Sequence, residues 1–580
     1  MKHFVLLICG ALLAGAPAWG QALKPRGRKP APVVVPPAGP GPLGLTLPLS
    51  PPPSATTRPG AGTGTIRPGA GASAGGVASV PVPAQTARLE LRLPSDGGDV
   101  HVQPLAADSS VVLLVGQEAK SNRPLDFYFQ HYDAQLRRRR EVPVAVPPEF
   151  RFVRLCAEAR TVYALFSSRQ EAGRLWVVAF DAAGGPLRAQ TFETKLSREI
   201  MELRAVEGSL FATVVLSNAT QLKALLLNMS TGQFRYLASI YEPLPAQLSF
   251  EADERTGRAA YVLSQNNGRK SRLQLKQLGA NGQLLGAEVV QAESERNLLT
   301  AQLSPLADSS ARLLAGTYSL RELSYAQGLF ATDLRPAASL PVGTTRAPLR
   351  FYDFLRFKHF FDFVKPRREQ RLRERAARRQ EQALAPRRWR YRLLLHPLRP
   401  LPGGGFVLTA EVYFPHYRYN NGFYSGTGLA GGYLPGMGNY ASNAGRVFDG
   451  YSTTQALVCG FAPDGTLLWD NSFVVKDLRR YELAEAIRQA PLPDGRLALA
   501  YLADNELCYK LVQQAAPSPN DLRVPLQTHP AGLDERPYEA DNTDLQTWYG
   551  ATFLASGFHR LRPEKGPERE VFFLNKIVFK

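Results

Sequence analysis

The chain is poor in the residues and motifs on which most catalytic sites depend. Its 580 residues include four cysteines and eight histidines. The histidines form neither an HExxH pattern nor a close cluster with cysteines or carboxylates, and no GxSxG turn is present. We therefore predict no metal site, no cofactor and no catalytic residue identifiable from local motifs.

Cysteine is also too scarce for a disulfide framework. Cys9 lies in the N-terminal segment, and the other three, Cys156, Cys459 and Cys508, lie inside predicted strands. Three is an odd number and implies no set of paired bridges. We expect three buried free thiols.

Long apolar runs are equally rare. FVLLICGALLAGAPA, which follows Lys2 and His3, is too short for a comfortable membrane span, and the small residues Ala18 and Gly20 precede Gln21. This layout predicts a secretory signal peptide over residues 1–20, with cleavage after Ala22 or retention as an anchor as the alternatives. We expect a periplasmic or extracellular protein with no transmembrane segment after cleavage.

Residues 21–86 have the composition of a linker. Pro, Gly, Ala, Ser and Thr dominate them, and RPGAG occurs twice. Such a segment buries too little apolar surface to offset chain entropy, so we predict a disordered tether. It is either a spacer between the folded part and a surface or a linker without a selected role.

What the chain does contain is a repeat of about fifty residues. Apolar runs begin near Val111, Val162, Phe211, Ala260 and Leu313, at intervals of 51, 49, 49 and 53 residues. Later copies begin at Val407, Leu497 and Thr552, and hairpins with Asp, Asn or Gly turns keep step with them. This period, with little helix, predicts an all-β fold over residues 87–580, a β-propeller of seven or eight blades. ARLELRL near Ala87 and EVFFLNKIVF at the C-terminus should close the ring in one sheet.

Two insertions interrupt the period, and insertions in repeat arrays lie in loops. Residues 345–389 hold most of a basic stretch, Lys365 to Arg392, that has twelve Lys or Arg and three Glu within a net charge of +19. Pro366 and the following residues predict a helix that projects into solvent, with binding candidates Arg371, Arg375, Arg378 and Arg379.

The aromatic segment before this helix has two interpretations. Phe354, Phe357, Phe361 and Val364 have the spacing of one helix face. The segment is either an aromatic foot packed on the propeller or part of a device in which aromatics insert into an anionic surface while arginines pair with phosphate. The helix itself is either solvated or adhesive. Acidic polysaccharide, anionic glycolipid and another envelope protein are the candidate partners, whereas export argues against nucleic acid.

The second insertion, residues 415–452, is rich in Tyr and Gly. Aromatic rings on a polar chain can stack on sugars or form adaptable protein contacts, and the same loop can equally cap the propeller. The binding candidates are Tyr417, Tyr419, Phe423, Tyr424 and Tyr433. A glycine pattern at Gly426 lacks the flanking strand and helix of a dinucleotide site, so it predicts no cofactor.

Glu411 is the one carboxylate that falls inside a strongly apolar run, FVLTAEVYF. An ionised group inside a sheet is costly unless it is paired. We expect an arginine of the next blade as its partner, and a catalytic role as the alternative.

The order of these pieces resembles a known group of proteins. FYDFL, a basic helix, LPGGGFVLTAEVYF, a Tyr-rich loop and PDGTLLW follow one another between Leu349 and Phe473. This order is similar to that of uncharacterised exported β-propeller-like proteins from Gram-negative bacteria. The resemblance implies an envelope or extracellular location and no established activity.

Together these patterns predict a non-enzymatic binding or scaffold protein of the cell envelope. The alternative is a carbohydrate-active enzyme, a glycoside hydrolase or lyase, with its site in the propeller funnel. A cleft lined by paired carboxylates and aromatic residues would favour the enzyme, and a plugged or uncharged channel with exposed insertions would favour the binding protein.

Overall fold

The computed structural model describes residues 82–93, 98–117, 126–194, 198–216, 221–243, 247–253, 255–266, 269–292, 294–305, 312–334, 348–419, 446–528, 535–563 and 568–579. The predicted signal peptide and most of the predicted linker lie outside these ranges. Within them, no helix is long and apolar enough to cross a membrane.

Eight antiparallel sheets follow one another along the chain, and each is one blade of a β-propeller. The prediction of an all-β propeller is confirmed, with eight blades rather than seven.

The strands of the first half of the propeller are β1 (Ala84–Leu91), which belongs to blade 8; β2 (Gly98–Leu105), β3 (Ser110–Gln117), β4 (Asp126–Tyr132) and β5 (Arg138–Val144) in blade 1; β6 (Phe150–Glu158), β7 (Thr161–Ser168), β8 (Arg174–Asp181) and β9 (Arg188–Glu193) in blade 2; β10 (Arg198–Val206), β11 (Ser209–Leu216), β12 (Gln221–Asn228) and β13 (Phe234–Pro243) in blade 3; and β14 (Leu248–Asp253), β15 (Arg258–Asn266), β16 (Ser271–Gly279) and β17 (Leu284–Val290) in blade 4.

The second half contains β18 (Asn297–Leu303), β19 (Leu313–Ser319), β20 (Gly328–Asp333) and β21 (Arg350–Asp353) in blade 5; β22 (Arg392–Leu395), β23 (Arg399–Pro400), β24 (Phe406–Tyr419), β25 (Arg446–Phe461) and β26 (Leu467–Arg480) in blade 6; β27 (Arg488–Pro491), β28 (Leu497–Ala503), β29 (Glu506–Val512) and β30 (Leu522–Pro525) in blade 7; and β31 (Glu535–Thr547), β32 (Thr552–Pro563) and β33 (Arg569–Val578) in blade 8. A 3-10 turn (Phe354–Arg356) and helix α1 (Pro366–Glu381) separate blades 5 and 6.

The predicted repeat corresponds to the second strand of every blade. The apolar runs that begin near Val111 and Val162 form β3 and β7, in which most residues are buried. All eight predicted runs fall on second strands, namely β3, β7, β11, β15, β19, β24, β28 and β32. These strands are apolar without alternation because each is covered on both faces by the neighbouring blades.

The predicted hairpins connect third and fourth strands. The side-chain oxygens of Asn228, Asn281 and Asp464 each accept a backbone N–H hydrogen bond two residues further on. Gly282 and Gly465 then take φ values of +71° and +82°, which L side chains rarely adopt. Asx turns followed by glycine therefore reverse the chain at these positions.

The antiparallel order gives the propeller two distinct faces. First strands of most neighbouring blades contact one another and surround the central axis. The turns between strands one and two, and between strands three and four, lie on one side, which we call the turn face. The connections between strands two and three, and those to the next blade, lie on the opposite side, which we call the insertion face. The first predicted insertion begins just before β21, and its remaining part, with the 3-10 turn and α1, connects blades 5 and 6. The second lies between β24 and β25, so both insertions reach the insertion face.

The ring closes in blade 8 as predicted. β1 pairs with β33, with Leu89 opposite Leu574. The guanidinium of Arg88 reinforces the closure because it donates hydrogen bonds to the Gln527 carbonyl at 2.7 Å and to Asn575 Oδ1 at 2.8 Å. N-terminal and C-terminal strands therefore belong to one sheet.

The three described cysteines lie in strands, as predicted. Cys156, Cys459 and Cys508 are buried free thiols in β6, β25 and β29. Burial raises the pKa of each thiol above its ordinary value.

Candidate functional site

The aromatic segment before helix α1 is buried and does not form the predicted helix. Residues 350–353 are β21, the fourth strand of blade 5, and a 3-10 turn and further turns follow. The Asp470 carboxylate accepts the backbone N–H groups of Lys358 and His359, which holds the chain in a turn. The helical prediction failed because these side-chain acceptors replaced the hydrogen bonds of a helix.

Four rings of this segment form part of the core between blades 5 and 6. Phe354, Phe357, Phe360 and Phe361 are fully buried, and Phe354 stacks on Phe360 with ring centroids 4.0 Å apart. The interpretation as an aromatic foot is confirmed. Insertion of these rings into an anionic surface is excluded because none of them is accessible.

Helix α1 lies against this foot rather than standing free in solvent, which corrects the predicted projection. Arg373 donates hydrogen bonds to the carbonyls of Leu355 and Phe357, each at 3.0 Å, and its guanidinium lies over the Phe361 ring. Ala376 is buried, and Leu372 packs on the core. An arginine anchors the helix, which apolar periodicity could not predict.

The outer side of the helix and the returning chain form a groove rich in arginine. Two adjoining cavities of about 330 and 580 Å³ lie between α1 and residues 385–391. We call them together the arginine groove, and its seven arginines are Arg368, Arg375, Arg378, Arg379, Arg387, Arg388 and Arg390. No aspartate or glutamate is among the residues that line either cavity.

Three of the four predicted arginines take part in this groove. Arg375, Arg378 and Arg379 line it, whereas Arg371 is exposed elsewhere on the helix. Arg379 also donates two hydrogen bonds to the Ala385 carbonyl, which holds the returning chain beside the helix. Arg387 lies over the Trp389 ring, 4.9 Å from its centroid. The return residues were missed because only the structure shows that they lie beside the helix.

The groove has little internal charge compensation. Arg378 approaches Glu374 at 3.9 Å, a weak exposed ion pair. Within the described ranges, Arg375, Arg387 and Arg388 have no ion-pair partner. A set of guanidinium groups in this arrangement can bind phosphate, sulfate or carboxylate groups through paired hydrogen bonds.

The second insertion is described only at its base. β24 continues to Tyr419 and β25 begins at Arg446, so strands replace both ends of the predicted loop. Tyr417 is 48% exposed and its ring lies edge-on to Phe448 at 5.9 Å. Phe423, Tyr424, Tyr433 and the side chain of Tyr419 lie outside the described residues.

Glu411 is buried, but its partners are not those predicted. Its carboxylate accepts a hydrogen bond from Nε2 of His396 at 2.8 Å and from the backbone N–H groups of Ala486 and Ile487 at 2.8 Å each. The expectation of an arginine from the next blade was therefore wrong. A histidine of the same blade and two amides of the connection to blade 7 satisfy the carboxylate.

A network of charges in the central channel was not foreseen. Arg488 lies 3.1 Å from Glu485 and 3.9 Å from Asp544, which joins blades 7 and 8. Glu485 also lies 3.8 Å from Nδ1 of His396. Burial opposes ionisation of Glu485, but His396, Arg488 and Arg204 of blade 3 lower its pKa overall. These residues come from four blades, and no sequence spacing connects them.

Glu251, on the innermost strand of blade 4, is a carboxyl group with a perturbed pKa. Burial raises its pKa to about 7, although Arg312 and Arg204 act in the opposite direction. At neutral pH this side chain is partly protonated and can therefore donate as well as accept a proton.

No known family matches the sequence, and no curated protein resembles it significantly. Among solved structures, the β-propeller domain of the trilobed protease from Pyrococcus furiosus is similar with a TM-score of 0.32 at 6% identity, covering 73% of this chain and 95% of that one. A polysaccharide lyase gives 0.36 at 8%, covering 73% and 89%. Quinohemoprotein alcohol dehydrogenase from Comamonas testosteroni gives 0.35 at 11%, covering 83% and 78%. The likeness concerns the fold alone.

Proposed function

We propose that this protein is a non-enzymatic binding protein whose arginine groove holds an anionic polymer, either an acidic polysaccharide or the headgroups of an anionic glycolipid. The observation that carries the proposal is the set of seven arginines that line one groove with no carboxylate among them. Guanidinium groups without partners repel one another, and a bound polyanion removes that repulsion.

The position of the groove supports the same function. It is built on a buried aromatic foot to which Arg373 anchors α1, so the helix that carries four of its arginines is held in place before the ligand binds. It also lies on the insertion face, where exposed Tyr417 and Phe448 add aromatic surface at the base of the second insertion. Export to the periplasm or cell surface is part of the proposal and rests on the N-terminal signal pattern.

A charge-matched pair of variants tests the proposal. Replacing Arg375, Arg378 and Arg388 with Gln removes three groove charges and no described hydrogen bond to the fold. Replacing Arg137, Arg138 and Arg139 with Gln removes the same charge from a run in which Arg138 and Arg139 are paired with Glu141 and Asp133. Binding to polygalacturonate and to anionic glycolipid micelles is measured over a range of salt concentrations.

The groove variant should bind about tenfold more weakly or worse, with a shallower dependence on salt, because each lost contact is a charge-assisted hydrogen bond. The control variant should bind like the wild type. Polymer binding without micelle binding would identify polysaccharide as the ligand, and the reverse would identify glycolipid. Equal weakening in both variants would show that overall charge, not the groove, attracts the anion.

A carbohydrate-active enzyme is the second candidate, and the observation that favours it is Glu251, a carboxyl group on the innermost strand of blade 4. With a pKa of about 7, Glu251 can act as a general acid at neutral pH. Glu251→Gln should abolish release of reducing ends from acidic polysaccharide if the channel is catalytic. Glu171→Gln, an exposed carboxylate in blade 2, is the control and should change nothing.

A further inference from the structure

A groove of about 800 Å³ opens on the turn face, between blades 6 and 7. The turn after the first strand of blade 6, at Leu401 to Gly404, forms one part of its lining. The corresponding turn of blade 7, at Asp494 to Leu497, forms another, and Trp469 of β26 lies between blades. We call this the interblade groove, and it is distinct from the arginine groove on the opposite face.

Trp469 is held flat in this groove by a glycine. It lies opposite Gly460 of β25, and a Cβ at Gly460 would overlap the indole atoms Nε1 and Cε2. The ring therefore lies directly on the strand backbone, in space that only glycine leaves free. It is partly exposed, and no acceptor within the described chain takes the hydrogen of its Nε1. The result is a fixed aromatic surface with an available donor.

Polar groups surround this surface and are fixed by the fold. Nε of Arg496 donates to Asp494 at 2.6 Å, which orients both side chains at the rim. Across the groove, Gln514 has a φ of +48°, and Asn471 holds its carbonyl with a hydrogen bond of 2.8 Å. Hydrogen-bond donors and hydrogen-bond acceptors therefore lie together within one concave site around the indole.

We propose that the interblade groove is a binding site for neutral pyranose sugars, with Trp469 as the stacking platform. The axial C–H groups of a β-glucose-type ring carry partial positive charge and match the negative face of an indole. Its equatorial hydroxyls point sideways, where Asp494, Arg496 and Gln514 can exchange hydrogen bonds with them. A concave site with an apolar surface and a few fixed polar groups is typical of small-molecule recognition.

The charge of the site separates this ligand class from an anion or a peptide. Asp494 neutralises Arg496, and Arg399, the third charged residue of the lining, interacts with Glu485, in contrast to the uncompensated arginine groove. An extended peptide would call for a row of backbone partners or alternating side-chain pockets. The interblade groove instead offers one flat ring with mixed polar side chains. This inference does not depend on the proposed function of the arginine groove.

The test uses the full chain and two defined probes, cellobiose and N,N′-diacetylchitobiose, observed by saturation-transfer NMR and by calorimetric titration. Trp469→Ala removes the platform, and Gly460→Ala keeps the indole but displaces it. Asp494→Ala removes a polar contact without touching the ring. Tyr481→Ala, which removes an aromatic side chain that is 82% exposed on the insertion face, is the matched control.

At least one disaccharide should bind the wild type and the Tyr481 control, and Trp469→Ala should weaken it about tenfold or more, as loss of a stacked ring requires. Gly460→Ala and Asp494→Ala should each weaken it several-fold. Failure of both sugars to bind the wild type would overturn the proposal. So would a finding that Trp469→Ala and Asp494→Ala each bind the sugar as tightly as the wild type does. Tighter binding of a proline-rich peptide than of either sugar would overturn it in favour of a peptide groove.

Discussion

Nε2 of His396 donates a 2.8 Å hydrogen bond to the carboxylate of Glu411, and both side chains are 1% exposed. The pair joins three parts of the propeller. His396 follows the first strand of blade 6, Glu411 lies in the second, and the same carboxylate binds the chain where it enters blade 7. Burial disfavours charge on His396, but Glu485 and Glu411 raise its pKa above the ordinary value.

Removing Glu411 should destabilise the fold strongly. Glu411→Ala leaves His396 and the amides of Ala486 and Ile487 without their acceptor in a buried site. We expect a loss of about 3–5 kcal/mol in the free energy of unfolding, measured by urea denaturation. Glu374→Ala, in an exposed pair, should change it by about 0.5 kcal/mol or less. Similar effects of the two changes would contradict the structural role of Glu411.

Glu251 predicts a specific pH dependence of stability. Its folded pKa of about 7 is above the ordinary value of 4.5, so its contribution favours folding at low pH and is lost as pH rises through 7. Glu251→Gln lacks this titration. The melting temperature of the variant, relative to wild type, should therefore rise between pH 4.5 and pH 8. A relative fall over that interval would show that Glu251 is stabilised in its ionised form.

Arg88 should matter far more than its neighbour Arg92. Arg88 binds the carbonyls of Gln527 and Thr528 as well as Asn575, whereas Arg92 is exposed. Arg88→Ala leaves the Thr528 carbonyl and Asn575 Oδ1 without this donor, and the Gln527 carbonyl keeps only its bond from Asn575. The change should cost about 2–4 kcal/mol, measured by chemical denaturation. Arg92→Ala should be close to neutral. Equal stability of the two variants would mean that the strand pairing alone secures the ring.

Arg373 and Arg371 of α1 should also differ in importance, but their effect should be confined to the stability of the helix. Arg373→Ala removes the bonds to the Leu355 and Phe357 carbonyls, so amide hydrogen exchange across α1 should accelerate about tenfold or more. Arg371→Ala, on the exposed side, should leave exchange unchanged. The free energy of global unfolding should be similar in both variants, because the aromatic foot stays in the core. Unchanged exchange after loss of Arg373 would show that Leu372 and Ala376 suffice to hold the helix.

The fold was predictable because its strand pattern repeats along the sequence. The candidate site was predictable only where its residues are consecutive in the sequence. Each second strand has the same apolar character, so the runs at Val111 and Leu497 identify equivalent elements without any knowledge of contacts. The basic helix was identified because its charged residues follow one another closely in the sequence. The predicted helix of the aromatic segment failed because Asp470, more than a hundred residues away, provides the acceptor that holds it in a turn.

The channel network and the interblade groove lay beyond sequence reasoning for a geometric reason. Arg204, Glu485 and Asp544 lie in three different blades and meet only when the ring is closed. Trp469 gave no signal in the sequence, because its significance depends on Gly460 in the adjacent strand. The partner of Glu411 was mistaken because burial of a carboxylate indicates that it must be paired, but not by which group.

Blade 8, which is built from both ends of the propeller sequence, also determines when the ring can close during synthesis. Arg88 and Asn575, which share a 2.8 Å hydrogen bond, are 487 residues apart in the chain. At about 5–20 residues per second, a ribosome needs about 25–100 s to deliver the second partner after the first. A nascent chain therefore carries β1 without its partner throughout that interval, and a product that terminates early leaves the ring permanently open. The propeller can therefore close only after Asn575 and the rest of β33 have been synthesised.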